Sequence, residues 1–180
     1  YLGSLEVSSG TVGLPTAEIN ENPAVVYSPL PLPDEYTVIG VDGSHIDVNR
    51  HIPVSCFLIN TGAVTLRYGA QPSADLVSNP TLYSGEVGTV IRDPNNSENF
   101  TKIQGALLGA FRSVEEIKFL EVILEENDST SPVMGLIDGT LVMLDLLRRG
   151  TPEYVVQSVL SEGFIGTLDR IEKLCSVKDV

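Results

Sequence analysis

The chain contains two copies of a pattern in which an apolar run ends in Asp-Gly. The first copy is VIGVDGSH, residues 38–45, and the second is GLIDGTL, residues 135–141. A lone Asp-Gly most often forms a hairpin turn, but both copies follow runs suited to strands, and the second precedes a segment of helical length and content. The pattern therefore predicts that Asp42 and Asp138 each lie at the carboxyl end of a strand, where ligands collect in α/β sheets.

Strand and helix signals alternate along the rest of the chain. The predicted strands are at residues 36–41, 54–60, 63–68 and 133–137, and the turn-like residues 60–62 join the second and third of them as a hairpin. The predicted helices are at residues 102–126, 140–149 and 152–174. Residues 76–99 lack periodicity and predict a long excursion. This order predicts an α/β domain, a mixed β-sheet flanked by helices.

The amino-terminal segment differs in composition from the rest of the chain. Residues 1–34 carry five prolines among Ser, Gly, Asn and Glu, a mixture that favours extended backbone. Residues 35–180 hold the predicted strands and helices, and a chain of 180 residues with 42% hydrophobic content is long enough for one buried core. We therefore expect an extended, Pro-rich arm at 1–34 and a single domain at 35–180.

Charge and cysteine content limit the classes of function. A formal net charge of −13 argues against broad electrostatic binding of nucleic acid, so a polyanionic partner must be held locally, and metal ions bound by carboxylates are one way to do so. Two cysteines are too few for a disulfide framework or a Cys-x-x-Cys metal site, which indicates a reducing, cytoplasmic setting. The apolar runs are too short to predict a membrane span.

Aspartates at the ends of neighbouring strands would approach each other closely. Two like charges so placed repel unless a cation lies between them. Hard divalent ions, Mg²⁺ or Mn²⁺, prefer such oxygen ligands. Asp42 and Asp138 are therefore candidate metal ligands.

The predicted helix at 102–126 offers a third carboxylate. Its apolar stripe is centred on Ile117, Leu120 and Leu124. A step of about 100° per residue places Glu115 nearly opposite this stripe and Glu116 at its edge. Glu116 can thus turn toward the sheet, whereas Glu115 is expected to be a solvated charge.

A charged neighbour gives Glu116 a second interpretation. Arg112 precedes it by four residues and could pair with it or with a phosphate. Glu116 could equally form an ordinary surface ion pair with Arg112 or Lys118. The residues alone leave both interpretations open.

Three segments together resemble the NurA nuclease domain family. They are residues 38–69, the helix around RSVEEIKFL at 112–120, and GLIDGTLV at 135–142, and the resemblance extends over most of residues 36–150. It implies an RNase H-like fold and a Mn²⁺-dependent deoxyribonuclease, for which Mg²⁺ is an alternative ion. The aspartates of the two boxes correspond to Asp42 and Asp138, and the helical acid to Glu116.

The resemblance also implies a biological setting. Members of the family act as 5′ to 3′ exonucleases and single-strand endonucleases in DNA end resection during DNA repair. They form homodimers and work with the hexameric HerA ATPase. The resemblance further implies that the domain at 35–180 is truncated at its carboxyl end relative to a complete member, and the family's functional residues nearer that end have no assigned counterparts here.

Two alternatives follow from the same residues. In one, the domain is a non-catalytic module for dimerisation or for docking to the ATPase, and its carboxylates are structural. In the other, it is a different divalent-metal phosphohydrolase built on a mixed sheet. The first alternative predicts that Asp42 and Asp138 lie far apart or accept hydrogen bonds from backbone amides.

Overall fold

The computed structural model of the chain describes residues 20–47, 55–144, 146–147 and 150–177. The chain divides into two compact units, Tyr1–Leu32 and Pro33–Val180. In the first unit, residues 20–32 are exposed and are neither helix nor strand. A local turn there is held by Asn22, whose Oδ1 accepts a hydrogen bond from the Ala24 N–H at 3.0 Å.

The second unit is a mixed α/β structure. Its strands are β1 (Tyr36–Asp47), β2 (Cys56–Tyr68), β3 (Ser73–Ser84), β4 (Val90–Asp93), β5 (Asn96–Lys102) and β6 (Val133–Ile137). Its helices are α1 (Gly85–Gly88), α2 (Ala106–Glu126), α3 (Glu153–Val156) and α4 (Gly166–Val177), with a π-helical segment, Gln157–Ile165, between α3 and α4. Four strands form one sheet in the order β3-β2-β1-β6, and β4 pairs with β5 in another. Because β1 is antiparallel to β2 and parallel to β6, the predicted mixed sheet is confirmed.

One of the two hydrophobic clusters of the core packs β1 against α2, and the other extends to β4, α3 and the π-helical segment. Alternate residues of β1, including Ile39 and Val41, are buried, as expected for a strand with one face against a helix. Ile39 and Val41 belong to a cluster that contains Leu120 and Leu124 of α2. The intervening residues of β1 point to the opposite face of the sheet, which is where Asp42 is exposed.

The predicted hairpin at 54–68 is wrong, because β2 is one continuous strand through Gly62. Gly62 lies opposite Asp42 of β1 on one side and Ser78 of β3 on the other. Gly62 therefore adopts extended backbone between two paired strands. Because it has no side chain, other groups can approach its backbone closely. The prediction that the first strand ends at Asp42 is also wrong. β1 pairs with β2 as far as Asp47.

Two other segments differ from the sequence-based predictions. The expected excursion at 76–99 contains most of β3, with α1, β4 and the start of β5. β3 is exposed except at the partly buried Tyr83 and lies at an edge of the sheet, where Pro80 is tolerated. The described residues of the helix predicted at 140–149 form irregular backbone and a turn instead, and Arg148 and Arg149 lie outside the described residues.

The remaining helices agree more closely with the predictions. α2 begins at Ala106, four residues later than predicted, since β5 extends to Lys102 and Gly105 takes a φ of 56° before the helix starts. The predicted helix at 152–174 is the run from α3 to α4, interrupted by the π-helical segment. Within the described ranges, no helix is both long enough and apolar enough to cross a membrane.

Candidate functional site

Asp42 and Asp138 occupy matching positions on neighbouring parallel strands. The last paired residues of β1 and β6 are Val41 and Ile137, so the two aspartates are the next residue along each strand. Val41 is buried against α2, and Asp42 therefore points to the other face. Both aspartates are exposed and line the same cleft. The structure thus brings these two predicted site residues together.

The cleft has a volume of about 670 Å³ and lies on the face of the sheet opposite α2. Part of its wall is apolar, with Leu76 of β3 and Leu136 of β6 both largely exposed. Asn60 and Ser78 add polar groups beside them, and the Ser78 hydroxyl lies 2.9 Å from Asn60 Oδ1. The aspartates therefore stand at an open groove that combines apolar and hydrogen-bonding surface.

Glu116 approaches the same strand from the helix-covered side. It is only 4% exposed although it carries a carboxylate. Gly43 makes room for it, because a Cβ built on Gly43 would lie 2.5 Å from Glu116 Oε1 and 2.7 Å from its Cγ. The glycine of the first Asp-Gly box therefore leaves the space in which a side chain from α2 reaches β1 beside Asp42.

Arg112 is the cation closest to this carboxylate among the described ion pairs. Its Nε lies 2.9 Å from Glu116 Oε1, one helical turn along α2. The two atoms are close, yet neither is aligned with a hydrogen-bond partner, so the contact is an ion pair without directional bonding. Arg112 Nη1 also donates to the backbone oxygen of Gly43 at 3.3 Å. The predicted pairing of Arg112 with Glu116 is present, but it is buried at the Glu116 end.

The pKa of Glu116 reports the charges around it. Burial raises this pKa, and the Arg112 guanidinium lowers it in opposition. The carboxylates of Asp42 and Asp138 raise it further, and the Gly43 N–H lowers it. Asp42 and Asp138 are therefore close enough to Glu116 for their charges to act on it.

The donors fit a hard divalent cation by their chemistry. Asp42, Glu116 and Asp138 supply only carboxylate oxygens, and Glu116 Oε1 is a buried acceptor without an aligned donor. In the part of the chain that the structure describes, however, no group of three or more His, Cys, Asp or Glu side chains is arranged to hold a metal ion. A site for a metal shared by the three acids is therefore not preassembled among the described residues.

Glu115 is engaged elsewhere. Its Oε2 accepts a hydrogen bond from the Tyr83 hydroxyl at 3.0 Å, and its Oε1 pairs with Lys118 at 2.9 Å. Tyr83 stacks on Phe57, and burial is the largest cause that raises its pKa. Glu115 is thus a structural link between α2 and β3, not the free solvated charge that the helical pattern predicts.

The raised pKa of Glu116 makes stability depend on pH. Because folding favours the protonated form, this stabilisation is complete below the unfolded-state pKa and is lost as pH rises through the folded-state pKa. In EDTA, we expect Glu116→Gln to raise the melting temperature relative to the unmodified chain, and to do so more at pH 8 than at pH 4.5. The same change at exposed Glu98 of β5 is the control. A difference that shrinks as pH rises would contradict this result.

Comparisons with protein-family models, curated proteins and solved structures find no match to this chain.

Proposed function

We propose that the chain is a divalent-metal-dependent DNA nuclease of the NurA type, with an RNase H-like arrangement of its sheet. The observation that supports this most directly is the convergence of Asp42, Glu116 and Asp138 beside the point where the pairing of β1 with β6 stops. These residues are far apart in the chain, and three acids gathered without a shared cation repel one another. A bound cation would offset this repulsion, so a cation site accounts for the three acids lying together.

In this proposal each acid has a distinct part. Asp42 and Asp138 present exposed carboxylates to the cleft, and Glu116 supplies the buried one from α2. When bound there, Mn²⁺ or Mg²⁺ would supply a hydroxide nucleophile and neutralise charge on the scissile phosphate. The cleft beside the acids is where a strand of DNA would lie, with Asn60 and Ser78 available as hydrogen-bonding groups.

The wider setting is proposed on the sequence resemblance. It comprises 5′ to 3′ exonuclease and single-strand endonuclease activity in DNA end resection, cytoplasmic location, homodimer formation and association with a HerA-type ATPase. Cleavage polarity, the role in resection and the ATPase partner all presuppose that DNA is the substrate.

The test is degradation of end-labelled DNA by the purified chain. Single-stranded and double-stranded substrates are incubated with Mn²⁺, with Mg²⁺ or with EDTA, and products are separated by length. We expect shortening of DNA in Mn²⁺ that EDTA abolishes. Intact DNA in all conditions, with a folded protein that binds Mn²⁺, would refute the assignment as a nuclease.

Three observations favour a non-catalytic module as the second candidate. As this alternative predicts, Asp42 accepts a hydrogen bond from a backbone amide, the Gly43 N–H, at 2.8 Å from Oδ1. Arg112 already neutralises part of the charge on Glu116, and no described group of acids is arranged as a metal site. In such a module the ion pair would be permanent and the acids structural. That candidate predicts no Mn²⁺ binding and no DNA degradation in the same assay.

A further inference from the structure

Arg112 joins the helix to the strand at the edge of the acidic site. Its Nε faces Glu116 Oε1 at 2.9 Å, and its Nη1 donates to the Gly43 oxygen at 3.3 Å. The arginine side chain is 34% exposed, whereas the Glu116 side chain is 5% exposed. One partner of this pair is therefore fixed in the interior, and the other reaches solvent.

Glu116 depends on a cation in this position. An ionised carboxylate removed from water must be compensated by an opposite charge or by hydrogen bonds. Its Oε1 has no aligned hydrogen-bond donor, and the carboxylates of Asp42 and Asp138 act on it unfavourably. Among the ion pairs of the described residues, Arg112 is its only cationic partner.

The ion pair and a metal ion would compete for the same oxygen. A divalent ion such as Mg²⁺ or Mn²⁺ binds carboxylate oxygen at about 2.1 Å, well inside the distance to the guanidinium. A guanidinium that stayed beside that oxygen would repel the incoming ion. Since Arg112 is partly exposed, it can move toward solvent without disturbing the core.

Resting on the proposed function, we infer that Arg112 is the resident counter-cation of the acidic site and that a divalent cation displaces it from Glu116 on binding. The arginine is thus a positioning residue. In the metal-free chain it fixes the Glu116 carboxylate and neutralises its charge, and it moves away when a bound metal ion neutralises that charge instead. The exchange keeps a positive charge beside the buried acid in both states.

The first test measures Mn²⁺ affinity at pH 8 by the electron paramagnetic resonance signal of free Mn²⁺. Arg112→Gln is compared with Lys118→Gln, which removes the same charge from the same helix but from a residue paired with Glu115. We expect Arg112→Gln to bind Mn²⁺ about tenfold more tightly than the unmodified chain, the effect of removing one nearby competing charge, and Lys118→Gln to change the affinity less than about twofold. Equal effects of the two substitutions, or weaker binding by Arg112→Gln, would overturn the inference.

The second test uses the unmodified chain, so it stands even if Arg112→Gln does not fold. The Nε–Hε signal of Arg112, assigned by its absence in Arg112→Lys, is followed by nuclear magnetic resonance during titration with Mg²⁺. We expect it to shift with the same saturation curve as the backbone amides of Asp42 and Gly43. A signal that stays unchanged while those amides saturate, or amides that do not respond to Mg²⁺ at all, would overturn the inference.

The two proposals fail in different ways. If Mn²⁺ binds and displaces Arg112 but DNA stays intact, the exchange stands and the nuclease assignment falls. If DNA is degraded but Arg112 does not respond to metal, the nuclease assignment stands and the exchange falls.

Discussion

Asp42→Asn is expected to lower the Mn²⁺-dependent rate of DNA degradation by about 10³-fold, the upper range for removing one group that stabilises charge at an active site. The substitution keeps the shape of the side chain and removes its negative charge, which a hard cation requires in a ligand. Asp42 is exposed, so the change should leave folding intact. The rate is measured on the end-labelled substrate that the unmodified chain degrades best.

Asp47→Asn is the matched control for this substitution. Asp47 is an exposed aspartate at the end of the same strand, opposite Phe57 and outside the lining of the cleft. We expect it to retain the rate of the unmodified chain within about twofold, because an isolated surface charge contributes little. Equal rates for Asp42→Asn and the unmodified chain would remove Asp42 from the site.

Gly43→Ala is expected to lower the same rate by about 10²-fold, the usual cost of displacing a reacting group by about 1 Å. Its added methyl would lie 2.5 Å from Glu116 Oε1, 2.7 Å from Cγ and 3.0 Å from Cδ. Because most of the Glu116 side chain is involved and is buried, it must move away from β1 as a unit. We also expect a loss of about 1–3 kcal/mol in the free energy of unfolding, as for other overpacked sites.

Gly40→Ala is the control for stability. Gly40 lies on the same strand, and a Cβ built there meets nothing within 4 Å. Urea denaturation of the two variants separates the collision with Glu116 from the general effect of replacing a strand glycine by alanine. Equal stability of the two variants, with full activity in Gly43→Ala, would show that Glu116 does not need its observed position.

Much of the aspartate pairing could be predicted from local signals. The apolar runs before Asp42 and Asp138 identify strands, and neighbouring parallel strands place the residues after such runs side by side, although β1 itself continues to Asp47. The structure places these runs side by side as β1 and β6. Helical periodicity likewise distinguished Glu116 from Glu115, since only a residue beside the apolar stripe can face the sheet.

The missed elements lacked such signals. β3 is exposed except at Tyr83, so it shows neither a buried apolar run nor a strict alternation. In β2, Thr61 and Gly62 are typical turn residues, and only pairing with strands on both sides holds them extended. The contact of Gly43 with Glu116 could not be predicted either, because it depends on how closely α2 approaches β1.

The lining of the cleft has a consequence for how a polymer would be held there. Among its described lining residues are Asp42, Asp138, Leu76 and Leu136, and none is Lys or Arg. A nucleic acid strand bound in this cleft would release few counter-ions, because no cationic side chain among the described lining residues replaces them. Its affinity for the chain would therefore fall only slightly as the salt concentration rises. Binding would instead draw on contact between the polymer and aliphatic side chains such as Leu76 and Leu136.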